Sequence, residues 1–306
     1  MERLRVVFMG TGDFSLKALV ALYEFGVDLV VYTKPPQPSG RNYKVQKSAV
    51  HNFAEEKEIP FFFPRHFRSQ DEVEKFRLLK PDLAIVSSYG LIIPQSLLDI
   101  PPYGFINIHA SILPRWRGAA PIQSALLAGD SETGISIMKM DAGVDTGDII
   151  STKSINISEK ITHGELSHQL GNLGAAMIIE TLKDLEKCLS NSRKQPEEGV
   201  TYAQKITKSD CKIDWNDCAE SILRRIRAFA PTPAAWTEIE DLRIKIFDAE
   251  IIENGENSTP GLVSDDLVVT CRVGSLKLTD IQPAGKNRMS GKDFLRGHKN
   301  FVGKIL

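Results

Sequence analysis

Cysteine is scarce in this sequence and is never closely paired. Its four copies (Cys188, Cys211, Cys218 and Cys271) contain no C-x-x-C spacing. Both a disulfide framework and a cysteine-ligated zinc site need more numerous or more closely spaced cysteines. We therefore expect reduced thiols, as in a cytosolic protein.

Long apolar runs are also missing. No run approaches the ~18 residues that a membrane-spanning helix needs. The first residues, MERLRVVFMG, mix charged residues with a short apolar run and do not resemble a secretory signal peptide. We expect a cytoplasmic protein.

Neither a charge excess nor the common hydrolase motifs are present. The chain has 38 Lys and Arg against 39 Asp and Glu, so a nucleic-acid partner would have to bind a local basic patch. The G-x-S-x-G, H-E-x-x-H and Walker A patterns are absent. The sequence therefore lacks the residues of a serine hydrolase, a zincin or a P-loop enzyme.

The first half alternates short apolar runs with helical or turn-rich stretches. This alternation predicts an α/β domain with a mostly parallel sheet between helices, and the continuous apolarity fits strands buried on both faces. The predicted strands are Leu4–Met9, Leu29–Tyr32, Leu83–Val86, Phe105–Ile108, Ile135–Met140 and Ile149–Ile157. One long amphipathic helix is predicted over Thr162–Leu189.

The second half has a different pattern, which begins after the polar segment Ser190–Gly199 (SNSRKQPEEG). A helix over Cys218–Phe229 precedes closely spaced short strands, as in a small antiparallel barrel. Those strands are predicted at Ala235–Ile239, Leu242–Phe247, Leu267–Cys271 and Ser275–Ile281. We predict an N-terminal domain over residues 1–188, a linker over 189–206 and a C-terminal domain over 207–306.

A glycine-rich loop, Gly10–Ser15, follows the first predicted strand. The spacing allows a dinucleotide site, but Ser15 replaces the third glycine and no acid follows the second strand. Lys34 at the end of that strand is suited to binding a 2′-phosphate, which keeps a nicotinamide reductase as an alternative. A tight strand-to-helix turn is the favoured interpretation.

Three polar residues in separate segments can meet at one sheet edge. Asn107 and His109 are two apart in a strand and so share a face near its carboxyl end, where ligands of parallel sheets bind. The acidic turn Asp141–Asp148 can bring Asp145 to the same place. An amide, an imidazole and a carboxylate together suit acyl transfer. Taken singly, each residue also fits an ordinary role in a strand end or turn.

The segments around these residues closely resemble the folate-dependent formyltransferases. The resemblance lies in INIHASILPRWRGAAPIQ and MDAGVDTGDII, and extends through VVFMGTGDFS, SSYGLIIP, KITKSDCKIDW and IRAFAPTPAAW. It implies a Rossmann-like formyltransferase domain followed by an OB-like β-barrel. It also implies catalytic roles for Asn107, His109 and Asp145, and a folate-contacting turn formed by Ser111, Ile112, Leu113 and Pro114.

The resemblance further implies the reaction and its partners. The donor would be 10-formyltetrahydrofolate, the acceptor would be the amine of methionine carried by initiator tRNA, and no metal would be needed. We expect a monomer. Formylation of a nucleotide sugar, hydrolysis of the formylfolate and a non-catalytic RNA-binding protein remain alternatives.

Basic residues offer places for the tRNA. The stretch Thr33–Lys47 has four cations and no acid, and Arg41 and Lys44 within it are the predicted tRNA contacts. This stretch follows the family pattern only loosely, although Arg41 matches it. Further candidates in the C-terminal domain are Arg224, Arg225 and Arg227 on one helix.

Overall fold

A computed structural model describes residues 3–39, 44–252 and 259–306. The chain forms two compact units. The first contains Met1–Pro121, Glu132–Asn156 and Ser167–Ala203, and the second contains Ile122–Ser131, Ile157–Leu166 and Gln204–Leu306. Within the described ranges, no helix is both long and apolar enough to cross a membrane.

The elements up to residue 203 alternate as the sequence predicts. In chain order they are β1 (Arg5–Gly10), α1 (Asp13–Phe25), β2 (Asp28–Tyr32), β3 (Gln37–Ser39), β4 (Lys44–Gln46), α2 (Ala49–Glu56), β5 (Phe61–Phe62), α3 (Gln70–Leu78), β6 (Leu83–Ser87), α4 (Gln95–Leu98), β7 (Phe105–His109), β8 (Arg117–Gly118), α5 (Pro121–Ala128), β9 (Glu132–Lys139), β10 (Ile149–Asn156), α6 (His163–Lys183), α7 (Leu185–Ser190) and β11 (Tyr202–Ala203).

The central sheet has the strand order β10-β9-β7-β6-β1-β2-β5. Strands β7, β6, β1, β2 and β5 are parallel. At one edge, β9 pairs antiparallel with β7, and β10 pairs antiparallel with β9. Every residue of β6 and β7 is buried, as expected for apolar strands covered on both faces. The predicted mostly parallel α/β domain is confirmed.

One helix differs from the sequence-based expectation. The single helix predicted over Thr162–Leu189 is two helices, α6 and α7, because the backbone of Asp184 leaves the helical region (φ −143°, ψ 56°). The apolar periodicity continues across this break, so the sequence pattern does not reveal it.

The glycine-rich loop Gly10–Ser15 packs tightly against the end of β6. Ser15 is fully buried, and its hydroxyl donates a 2.5 Å hydrogen bond to the carbonyl of Ser87 at the end of β6. A Cβ on Gly10 would lie only 2.7 Å from the Cβ of Ser15. The requirement for glycine at position 10 thus follows from close strand-to-helix packing.

The elements after residue 203 form a second, antiparallel sheet of order β12-β13-β16-β15-β14, with β17 paired to β16. This region contains α8 (Ala219–Phe229), β12 (Ala235–Ile239), β13 (Leu242–Ile252), β14 (Val263–Ser264), β15 (Val268–Thr270), β16 (Ser275–Pro283), β17 (Met289–Ser290) and α9 (Gly291–Gly297). The prediction of a C-terminal β domain is confirmed.

The arginines of α8 make contacts within their own unit. Arg225 Nη1 donates to the backbone carbonyl of Asp210 at 2.6 Å, and Arg227 Nη1 donates to the carbonyl of Glu159. Burial lowers the pKa of Arg227, and the nearby Arg224 lowers it further. Two of the three arginines considered for RNA contact therefore hold backbone segments in place.

Candidate active site

Strand β7 supplies two of the predicted site residues. Asn107 and His109 are both buried, and β7 lies between the parallel strand β6 and the antiparallel strand β9. Because they are two residues apart, they share one face of the sheet at the carboxyl end of β7.

Asp145 meets both residues. Its Oδ1 accepts a hydrogen bond from Asn107 Nδ2 at 3.0 Å, and its Oδ2 lies 3.6 Å from His109 Nδ1. Oδ2 also accepts a hydrogen bond from the backbone N–H of Gly118 at 2.7 Å. The structure therefore brings the three predicted residues together around one carboxylate.

The other imidazole nitrogen fixes the orientation of His109. His109 Nε2 lies 2.9 Å from the backbone carbonyl oxygen of Trp116. A carbonyl oxygen only accepts hydrogen bonds, so Nε2 carries a proton and donates it. Nδ1 is then the nitrogen that faces Asp145. This arrangement suits a histidine that passes or shares a proton with a carboxylate.

The turn after β7 is held by two serines. Ser111 Oγ donates to the carbonyl of Arg115 at 2.6 Å. Ser136 Oγ donates to the carbonyl of Ser111 at 2.8 Å and accepts from the N–H of Leu113 at 3.1 Å. The peptide bond between Leu113 and Pro114 is cis. These contacts set the shape of the predicted folate-contacting turn, in which Ile112 is half-buried.

A short parallel ladder borders the site. Strand β8 pairs with β11, and the N–H of Trp116 donates to Thr201 Oγ1 at 2.9 Å. Gly118 has φ 115°, and a Cβ there would lie 2.6 Å from the carbonyl oxygen of Ala203. Only glycine fits this approach, which brings the Gly118 N–H to Asp145.

Gln195 is a site residue that no sequence pattern predicts. It lies in the polar segment Ser190–Gly199, where the composition indicates only a linker. Its Nε2 donates to the carbonyls of Asp145 and Gly147, each at 2.8 Å. Its Oε1 accepts from Arg117 Nε at 2.9 Å and from Arg117 Nη2 at 2.8 Å.

Other polar groups lie near the carboxyl ends of β1 and β6. Thr11 Oγ1, Ser87 Oγ and the Tyr89 hydroxyl are buried and have no hydrogen-bond partner in the described parts of the chain. Burial also raises the pKa of Tyr89. The segment after β6 contributes to a pocket of about 320 Å³, lined by Arg65, His66, Phe67, Arg68, Gly90, Leu91, Ile92 and Pro94. Apolar walls beside cations are suited to an aromatic ligand that carries carboxylates.

Only one of the two predicted tRNA contacts, Lys44, lies within the described residues. Arg41 lies outside the described residues, and Lys44 is the first residue of β4, which pairs antiparallel with β3. Lys47 forms an ion pair with Glu55 at 2.6 Å. No group of three or more His, Cys, Asp or Glu side chains suited to a metal ion occurs among the residues that the structure describes.

Comparison with known proteins identifies the family. Residues 4–182 match the formyl transferase family, and residues 205–299 match the formyl transferase C-terminal domain. A methionyl-tRNA formyltransferase from Paramagnetospirillum magneticum is 44% identical over 306 residues, covering 99% of this chain and 100% of that protein. One from Roseobacter denitrificans is 44% identical over 296 residues, 96% of each chain.

The fold is also shared with more distant proteins. The crystal structure of HypX from Aquifex aeolicus in complex with tetrahydrofolic acid has a TM-score of 0.66 and 16% identity, and covers 99% of this chain and 48% of that one. At this identity the likeness concerns the fold alone. The family matches and the full-length relatives lead to one conclusion: the chain belongs to the formyl transferase family.

Proposed function

We propose that the chain transfers the formyl group of 10-formyltetrahydrofolate to the amine of initiator methionyl-tRNA, giving N-formylmethionyl-tRNA. The observation that carries this proposal is the carboxylate of Asp145, which contacts both Asn107 and His109. The relatives that match the whole chain are named for this reaction. The protein would act as a cytoplasmic monomer without a metal.

Asn107, His109 and Asp145 can each take a separate role in acyl transfer. The amine nitrogen attacks the formyl carbon, and the carbonyl oxygen becomes an oxyanion. One N–H of the Asn107 amide binds Asp145, and we assign the other to this oxyanion. The proton lost by the amine passes to the Asp145–His109 pair. A proton is then delivered to the folate nitrogen as its bond to carbon breaks.

The folate donor would lie along the turn Ser111–Pro114 and the segment after β6. The apolar side chains of Leu91 and Ile92 would contact its ring systems, and the guanidinium groups of Arg65 and Arg68 would pair with its carboxylates. The donor supplies the activated formyl group. The protein supplies orientation and charge stabilisation.

A direct assay tests the proposal and its alternatives. The protein is incubated with 10-formyltetrahydrofolate and charged initiator tRNA, and N-formylmethionine is measured after the ester is hydrolysed. Parallel reactions contain an amino nucleotide sugar, or no acceptor at all. Formylated sugar or free formate without N-formylmethionine would overturn the proposal and establish one of the alternatives.

A further inference from the structure

We infer that Gln195 is a positioning residue that fixes the backbone of the Asp145 turn, so that the carboxylate meets Asn107 and His109 together. The inference rests on the proposed function, because it assigns a role in the same reaction. The observations behind it are the contacts of the Gln195 amide and the backbone conformation of Asp145.

The Asp145 turn needs external support. Asp145 has φ 52°, in the left-handed region that a residue with a Cβ adopts only at a cost in conformational energy. Gly147 is pressed against β9, because a Cβ there would lie 2.0 Å from the carbonyl oxygen of Lys139. The N–H of Lys139 in turn donates to the carbonyl of Asp148 at 2.9 Å. This last contact secures one end of the turn, while the carbonyls of Asp145 and Gly147 need another partner.

The amide of Gln195 supplies that partner. Its two N–H groups bind the carbonyls of Asp145 and Gly147, and its oxygen binds two nitrogens of the Arg117 guanidinium. A carboxamide has two N–H donors and an oxygen with two lone pairs, so this side chain uses all of its capacity. An amide that is saturated in this way has one orientation.

Arg117 connects the amide to the other side of the site. Arg117 is buried in β8, and its backbone N–H donates to the carbonyl of Thr201 at 2.9 Å. The next residue, Gly118, donates its N–H to the Asp145 carboxylate. Through Gln195 and Arg117, the backbone of Asp145 is thus linked to β8, and the Gly118 N–H of the same strand binds the Asp145 carboxylate. Strand β8 therefore positions both the backbone and the side chain of Asp145.

The test is the isosteric change Gln195→Glu. The new carboxylate keeps an acceptor for Arg117 but loses both donors, and it sets a negative oxygen against two carbonyl oxygens. We expect kcat for formyl transfer to fall about tenfold or more, because a small displacement of a catalytic group is costly. KM for folate and for tRNA should stay within about twofold, since neither ligand is assigned to Gln195. Gln195→Met, which lacks both functions, should behave similarly.

A second measurement separates positioning from general stability. If Gln195 acts through Asp145, adding Gln195→Glu to Asp145→Asn should cost far less than it costs in the wild type. Glu197→Gln, an exposed change two residues away, is the matched control and should leave kcat unchanged. Circular dichroism checks that each variant is folded.

Three results would overturn the inference: unchanged kcat in a folded Gln195→Met variant, a KM increase that accounts for the loss, or equal losses in both Asp145 backgrounds. If Gln195→Glu does not fold, Gln195→Met carries the same comparison. Failure of the wild-type protein to formylate methionyl-tRNA would refute the proposed function itself. That outcome is distinct from a wild-type protein that works and a Gln195 variant that works equally well.

Discussion

Asn107 and Asp145 are 38 residues apart in the chain, yet the amide of the first donates a 3.0 Å hydrogen bond to the carboxylate of the second. This bond leaves the Asn107 side chain with a single orientation at the end of β7. Its remaining N–H is then preorganised for charge that develops on the substrate, which is the property that makes such donors effective in catalysis.

Asn107→Ala and His109→Ala should each lower the rate of formyl transfer by at least about a hundredfold. This is the typical effect of losing an oxyanion donor, as in Asn107→Ala, or a group that handles the proton, as in His109→Ala. Single-turnover assays with saturating folate and tRNA measure the chemical step. Circular dichroism serves as the folding control. Near-wild-type turnover by either folded variant would contradict the assignment of the site.

Asp145→Asn should also reduce formyl transfer to a low residual rate, at least about a hundredfold below the wild type. The new amide has roughly the same shape, but it carries no charge opposite His109 Nδ1 and cannot take a proton. Its nitrogen would also meet either the Gly118 N–H or the Asn107 amide, both of which are donors. Folate affinity, measured by titration, should change little. Normal turnover would mean that another residue handles the proton.

Asn107, His109 and Asp145 could be predicted because their positions follow from local rules. Strand periodicity puts Asn107 and His109 on one face, and a turn rich in Asp and Gly brings an acid to the sheet edge. The same rules explain why the strands of both domains could be predicted closely, as with Ala235–Ile239.

Gln195, Gly118 and the carbonyl of Trp116 could not be predicted. Their contacts are made with backbone groups far away in the chain, and a polar segment has no periodicity that would indicate them. The arginines of α8 also make contacts that the sequence does not reveal. Their row of cations suggests an RNA-binding surface, which stays a prediction, and Arg225 and Arg227 also bind backbone carbonyls in their own unit.

We expect the basic stretch Thr33–Lys47 to contribute to tRNA binding but not to folate binding. Replacing Arg41 and Lys44 by Ala should weaken tRNA binding and reduce its dependence on salt, while folate affinity stays unchanged. Titrations across a salt series measure both. Lys47→Ala is the matched control within the same loop, because its ammonium group is already paired with Glu55. Equal tRNA affinity in the double variant and the wild type would make the loop an ordinary surface feature.

Activity should survive removal of metal ions from protein and substrates. The predicted site consists of an amide, an imidazole and a carboxylate, and it lacks the set of ligands that structural or catalytic zinc uses. The assay compares turnover before and after exhaustive chelation, with the tRNA checked for correct folding. Loss of activity that zinc alone restores, with stoichiometric zinc on the protein, would contradict the prediction.

His51 should make the fold sensitive to mild acid. The ring is buried, with its centroid 5.0 Å from that of Phe61 and 4.7 Å from that of Phe63. Burial lowers its pKa below the ordinary 6.5, as does Lys47, while Glu55 acts in the opposite direction. The unfolded chain therefore binds a proton more readily, and stability that is present above pH ~6.5 is lost as the pH falls below it.

The pH dependence of thermal unfolding between pH 7.5 and about 5.5 measures this effect, a window in which ordinary carboxylates remain largely ionised. His51→Phe should flatten the decline in Tm, because the variant cannot take up the proton. His66→Gln alters an exposed histidine and should follow the wild-type curve. The idea fails if the His51→Phe and wild-type curves are parallel.

The pairing of β8 with β11 bears on how the catalytic half of the protein can be isolated. A polypeptide truncated at residue 188 would lose Gln195, Thr201 and the carbonyl of Ala203, all of which contact the segment 116–119 or the Asp145 turn. A polypeptide that ends at residue 203 would retain them. A fragment meant to keep the Asp145 turn and the segment 116–119 in place should therefore extend through Ala203.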